Sequence, residues 1–338
     1  MNKLMMLENK LKNSKTKFTK NFLYYIIAPA LLLILGIIFV CTMGFSGGVE
    51  INGGSSFVIY INNGQEYSAP AVSYDIDKDY DSVCSKIEEI LADGNLKAES
   101  FQKTTISIEE KQVINGDAIK VTFLNTSKDL EIINKENASI RTRLVNGFGY
   151  DEYAITEISY QQPTFSIADL LISLGAIILA ISLASIYMAF RNKNASFLLG
   201  ILQGTFDILL VLATLLALRI PVDSNLSAVI IVAGVLSFAN FFAFYGHTKN
   251  NIKEGIYADN NNAENADKAT KSLLIRKTIV YIALIFASLV CICLPSVGIK
   301  RVGLGILITL IASFYSSTFV MPAMWAFTYK TRKQKQNN

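Results

Sequence analysis

SFLLGILQGTFDILLVLATLLAL, Ser196 to Leu218, contains a single charged side chain, Asp207. A helix of about 20 apolar residues crosses a hydrocarbon layer about 30 Å thick, so this stretch reads as a membrane span. Working outward, five more runs qualify: Phe22 to Gly44, Ile167 to Phe190, Leu226 to His247, Thr278 to Leu294 (extended back to Leu273 by Leu274 and Ile275), and Gly303 to Phe327. The chain of 338 residues is 51% hydrophobic and 17% charged. Soluble domains carry about 25% charged residues. Together with the six runs, this excludes an ordinary cytosolic enzyme, a disulfide scaffold and a disordered chain.

Charge sets the orientation. Short basic segments stay on the cytoplasmic side. Placing residues 1–21 there also places Arg191, Lys193, the 248–277 loop and the 328–338 tail, with Lys330, Arg332, Lys333 and Lys335, inside; these segments hold 18 basic residues. The short outer loops keep Arg219, Lys300 and Arg301. The first run is too long for a cleaved signal peptide and lacks a small-residue cleavage site, so it is expected to stay as a span. Residues 45–166 then face outward with 10 basic and 19 acidic residues, a net of −9, against +13 for the remainder. The expected topology has both termini in the cytoplasm of a bacterial cell, in its inner membrane, and no nucleic-acid partner. Cys84 is alone in the outer segment, and Cys41, Cys291 and Cys293 fall in spans, so neither a disulfide framework nor a metal spacing is present.

Within 45–166 the periodicity changes. Strands are predicted over 55–62, 100–108, 118–124 and 153–160, and helices over 78–92 and 127–145, the second capped by Ser127. The order βαββαβ predicts an α+β ferredoxin-like domain. The expected fold class is therefore an all-α bundle of six transmembrane helices with one extracytoplasmic domain between helices 1 and 2. Asp75, Asp77, Asp79 and Asp81 alternate like calcium ligands but lack the Gly and terminal Glu of a calcium loop, and read as a solvated turn. No nucleophile–base pair, metal set or phosphate loop is present, so neither an enzyme nor a cofactor is expected.

Asp207 is costly at mid-membrane, about 2.5–3.5 kcal/mol, and must face protein or water. Gly200 and Gly204 precede it at small-xxx-small spacing on roughly the same face, which predicts close helix packing there. In the fourth span Gly234, Ser237 and Asn240 form a small and polar stripe. In the sixth, Ser313, Ser316 and Ser317 do so beside Tyr315. Such stripes serve helix packing more often than ligands. Arg276 stands where the fifth span enters the membrane. These residues fit a transporter, a translocase subunit or a sensor.

The same residues carry a resemblance. Gly48-Val-Glu50-Ile-Asn-Gly53-Gly54-Ser55 resembles the G-[IV]-D-F-x-G-G-[TS] motif of the SecD/SecF protein-export family, with Glu for Asp and Ile for Phe. Phe206-Asp207 resembles the His-Asp pair of the third span in SecF-type members. Arg276-Lys277-Thr278 resembles the Arg-Thr of their fifth span, and Phe314 to Pro322 the T-Y-S-S run of their sixth. In the fourth span the family's Asn-Asp is replaced by Asn240-Phe241, and Asn240 cannot ionise.

The resemblance implies the fold of the resistance–nodulation–division transporters, with a SecD-like partner in the membrane lipid. It also implies association with the SecYEG channel and the SecA ATPase, and unfolded preprotein as substrate. Ion-coupling candidates are then Asp207, Arg276, Asn240 and Ser237; helix-interface positions are Gly200, Gly204, Gly234, Tyr315, Ser316 and Ser317; Glu50, Gly53 and Gly54 form the motif after the first span. A small-molecule or lipid transporter of the same superfamily, and a non-transporting scaffold or sensor, are the alternatives.

Overall fold

The computed structural model describes residues 17–20, 22–43, 47–61, 74–108, 113–193, 195–257, 261–294 and 296–328. Most of the basic N-terminal segment, the tail from 329 with its four basic residues, Gly44 and Asn62 lie outside the described residues. In chain order, α1 (Phe22–Met43) leads to the short α2 (Val49–Asn52). Next come β1 (Gly54–Tyr60), α3 (Tyr80–Asp93), β2 (Lys97–Ile108), β3 (Val113–Leu124), α4 (Leu130–Phe148) and β4 (Ser159–Gln161). The remainder is helical: α5 (Ile167–Asn192), α6 (Leu199–Ala217), α7 (Ser224–Lys253), α8 (Asn262–Cys293), α9 (Val297–Tyr315), a π-helical turn (Ser316–Val320) and α10 (Met321–Thr328). Among the described residues six helices are long and apolar enough to cross a membrane, α9 to α10 counting as one. The chain is a multi-pass membrane protein.

The four strands form one antiparallel sheet in the order β2-β3-β1-β4. Alternate residues of the central strands, Phe57 and Ile59 on β1 with Ile119, Val121 and Phe123 on β3, join one buried core with Ile87 and Leu91 of α3 and Ile140 and Leu144 of α4. Burial pushes the half-buried Cys84 thiol of α3 up to about 11. Because the thiolate is the reactive species, alkylation of Cys84 in the native protein at pH 8 is expected to run about a hundredfold slower than that of a free thiol. Mass spectrometry of the peptide containing Cys84 after timed iodoacetamide treatment checks this.

Three expectations shift. Helix α4 starts at Leu130 and not at 127: Asp129 is its cap, accepting from the Glu131 N–H at 2.9 Å, while Ser127 accepts from Asp129 N at 3.1 Å. Asp and Ser cap equally well. The frame is decided at the other end, where Gly149 at φ +67° stops the helix and lets Phe148 reach the core. The last strand shrinks to Ser159–Gln161 because the Thr156 hydroxyl takes the Val58 N–H at 2.8 Å, interrupting the ladder below it.

The predicted 248–277 loop is mostly helix, with α7 running on to Lys253 and α8 starting at Asn262. Thr248, Asn265, Ala266, Ala269 and Thr270 are buried there, a small and polar packing surface that hydropathy does not register. At the same end Trp325 of α10 is fully buried, edge-on to Phe244 at 6.2 Å and Tyr245 at 6.3 Å.

α5 begins with a reciprocal cap between Ser166 and Asp169. Its buried Leu170 and Ile181 pack against α6 and α7 around Ile208, Val211 and Ile230. α1 rests on α6 where Gly36 meets Ala213 so closely that an added Cβ would stand 2.8 Å from that of the alanine.

Candidate functional site: a buried polar cluster between the helices

Asp207 is 1% exposed on α6. One turn before it, Gln203 donates from Nε2 to Asp207 Oδ1 at 3.1 Å and to the Ser316 hydroxyl. On the opposite side Lys277 of α8 donates to Thr318 Oγ1 at 2.9 Å, to the Ser317 hydroxyl and to the Phe314 carbonyl at 3.3 Å. Its ammonium also lies 4.8 Å from the ring centre of Phe314 and 5.6 Å from that of Tyr281, within cation–π reach. A third group links α7 to the same helix: Asn240 donates to Tyr281 Oη at 2.6 Å and Ser313 Oγ at 3.0 Å, and those two hydroxyls stand 3.0 Å apart.

The π-helical turn supplies Ser316, Ser317 and Thr318 to this group. Pro322, two residues past it, has no N–H to return to an α-helical ladder. In this region the Ser313 carbonyl accepts from the Ser317 hydroxyl, and the Phe314 carbonyl accepts from Lys277. Such turns recur at functional sites.

Asp207 and Lys277 carry the cluster's opposite charges, and each feels the other's field. Among the described residues they form no ion pair within 4 Å, and Gln203 and the serine and threonine hydroxyls stand around them. Ser237, 1% exposed, approaches the Asp207 carboxylate. Its hydroxyl, Asp207 Oδ2 and Gln203 Oε1 have no hydrogen-bond partner among the described residues. Buried acceptors without donors cost free energy, typically about 1–3 kcal/mol each. Two such oxygens, Asp207 Oδ2 and Gln203 Oε1, beside a hydroxyl that can donate, leave acceptor capacity here for a proton.

The expected residues divide. Asp207, Ser237, Asn240, Ser316 and Ser317 come together. Gly200, Gly204 and Gly234 lie beside them where α5, α6 and α7 meet: added Cβ atoms would stand 2.7 Å from Ser185 Oγ, 2.9 Å from Ile181 and 2.5 Å from Ile177, respectively. Arg276 is exposed and does not enter the cluster. It lies on the rim of a cavity of about 300 Å³ that Asn240, Lys277 and Tyr281 also line. Tyr315 faces away and donates to the Tyr25 carbonyl of α1 at 2.8 Å.

Sequence reasoning missed Gln203, Lys277 and Tyr281 as members of the cluster. Gln203 was detectable by its i, i−4 spacing to Asp207; the other two carried no phase signal.

The motif after α1 lies at the other end of the helices, beside the α/β domain. Glu50 of α2 accepts from Ser224 N of α7 at 2.8 Å through its carboxylate. Through its carbonyl it accepts from Thr164 N and Phe165 N, both at 2.9 Å. Gly53 turns the chain at φ +76° and ψ 158°, and a Cβ there would lie 2.5 Å from Tyr160 Oη. Backbone in this region is essentially glycine-only, so Gly53→Ala is expected to cost about 1–3 kcal/mol. Gly175 of α5 has open space around it, so Gly175→Ala is expected to leave stability unchanged or raise it. Thermal unfolding of the two variants side by side checks both.

Residues 149–331 match the family described as protein export membrane protein SecD/SecF, C-terminal. The chain is 22% identical over 327 residues to the protein translocase subunit SecF of Acidaminococcus fermentans, a match covering 95% of this chain and 99% of that one. Its fold is similar to that of SecDF in a super-membrane-facing form, with a TM-score of 0.63 at 15% identity over 96% of this chain and 40% of that one. The translocon-associated SecDF of Thermus thermophilus gives 0.61 at 15% identity, over 93% and 38%. The chain therefore spans about two fifths of the SecDF chains and nearly all of the SecF subunit.

Proposed function

The chain belongs to the SecD/SecF family of protein-export membrane proteins, and from that premise we propose that it is the SecF-type accessory subunit of the Sec export machinery. Its partner is a SecD-type subunit, and the pair acts on unfolded preprotein emerging from the SecYEG channel after SecA. The α/β domain faces outward from a bacterial inner membrane with both termini inside, as the distribution of basic residues favours. Its strand order, β2-β3-β1-β4 with a helix after β1 and after β3, supports a ferredoxin-like domain.

The observation that carries the reading is the buried cluster of Asp207, Gln203, Lys277 and the π-turn hydroxyls, packed with α7 and α9, whose other ends reach the α/β domain through Ser224 and Arg301. Ion uptake at Asp207 changes the hydrogen bonds that α6 and α8 make to the π turn. The helices repack and the domain moves, pulling preprotein outward.

Affinity purification of the tagged chain from mild detergent tests the assignment. A SecD-type protein is expected to come with it. Recovery of the chain alone as a homo-oligomer overturns the assignment and favours a transporter of the same superfamily.

A further inference from the structure

At the domain-facing end, one arginine ties three elements together. Arg301, on the first turns of α9, donates from Nη2 to Glu99 Oε1 of β2 at 2.8 Å and from Nη1 to Asp223 Oδ2 at 3.1 Å. The side chains of Arg301, Glu99 and Asp223 are 18%, 10% and 3% exposed, so the group is largely shielded from solvent. Asp223 stands immediately before the first residue of α7. The second oxygen of Glu99 accepts from Val49 N at 2.5 Å, which brings in α2. Gly48 allows this approach, since a Cβ on it would stand 2.7 Å from Glu99 Oε1.

Both helices that end in this group also carry the buried cluster. From Arg301 to Ser316 is one uninterrupted run of helix, about 22 Å at 1.5 Å per residue. Ser237 and Asn240 lie about 21–26 Å along α7 from Asp223 by the same rise. A guanidinium is a planar fork that can hold two carboxylates at once, which an ammonium on a flexible stem does not reproduce. A shielded, hydrogen-bonded ion pair is also expensive to break, so displacement of α7 or α9 carries the partner with it.

We propose that Arg301 is a positioning residue that couples α7 and α9 to β2, delivering the displacement of the two cluster-bearing helices to the α/β domain. The inference rests on the ion-coupled reading given above. Glu99 is its receiving end on the domain, and Asp223 keeps the two helix ends together.

The test measures the distance between the domain and the membrane helices by pulsed electron paramagnetic resonance. Spin labels go on Glu89→Cys and Ser296→Cys of the full chain in lipid nanodiscs, with the four native cysteines replaced by alanine. In this parent, adding Asp207→Asn is expected to shift the distance distribution. In Arg301→Gln the distribution is expected to broaden and the response to Asp207→Asn to vanish. Glu99→Gln keeps an oxygen for Val49 N and leaves Arg301–Asp223 intact, and it is expected to lose the response equally; it decides the matter should Arg301→Gln fail to fold.

An unchanged shift in Glu99→Gln or in a folded Arg301→Gln overturns the coupling role and leaves the ion-coupled reading standing. No shift in the parent overturns that reading itself, and the coupling role with it.

Discussion

Asp207→Asn is expected to reduce export of a secreted precursor to the rate seen in cells lacking the chain, measured by pulse–chase of precursor and mature forms. The substitution is nearly isosteric. The amide oxygen still accepts from Gln203 Nε2, the contact that Asp207 Oδ1 makes at 3.1 Å, so packing between α6 and the π turn is preserved. What is lost is ionisation: an amide neither carries charge nor exchanges a proton at physiological pH. Ser237→Ala removes the hydroxyl that approaches the same carboxylate, and is expected to slow export without abolishing it. Recovery of the SecD-type partner at parental yield confirms that the Asp207→Asn protein is assembled. Parental export kinetics in Asp207→Asn would remove this carboxylate from the mechanism.

Lys277→Met carries the largest expected loss of stability. Methionine keeps the length and apolar contacts of the lysine stem but removes the donor to Thr318, Ser317 and the Phe314 carbonyl. It also leaves the buried charge of Asp207 without its compensating cation. Each buried acceptor left without its donor costs about 1–3 kcal/mol, and a buried charge left uncompensated costs more. Combining Lys277→Met with Asp207→Asn removes both charges and is expected to recover most of that loss. Groups that share one network depart from additivity in this way. Thermal unfolding of the two single variants and the double variant gives the cycle. A double variant as unstable as the sum of the single losses would show that the two charges do not act on each other.

The spans were legible because apolar length is a strong signal and each run had to satisfy one dimension, the membrane. The strand order was legible as well, since Phe57, Ile59 and the β3 residues opposite them alternate with period two. Asp207 stood out as a single charge in an apolar run. Lys277 did not. It follows Arg276 directly, and one residue turns a helix by about 100°. Choosing between the two cations therefore requires the phase of α8, which a helix apolar on all sides does not reveal. Thr156 was equally hidden: it fits a strand by propensity, yet its hydroxyl interrupts the ladder it was expected to join. The far ends of α7 and α8 escaped detection because Ala, Asn and Thr bury there without raising hydropathy.

Trp325 is the only tryptophan in the chain. It lies beyond the π turn, locked between α7 and α10 against Phe244 and Tyr245. Indole emission from the unmodified protein therefore arises at one known place. A red shift reports water reaching the junction of α7 and α10, at the opposite end of these helices from Arg301, and needs no label. The molecule thus carries its own optical gauge of whether an event at Asp207 also travels away from the α/β domain.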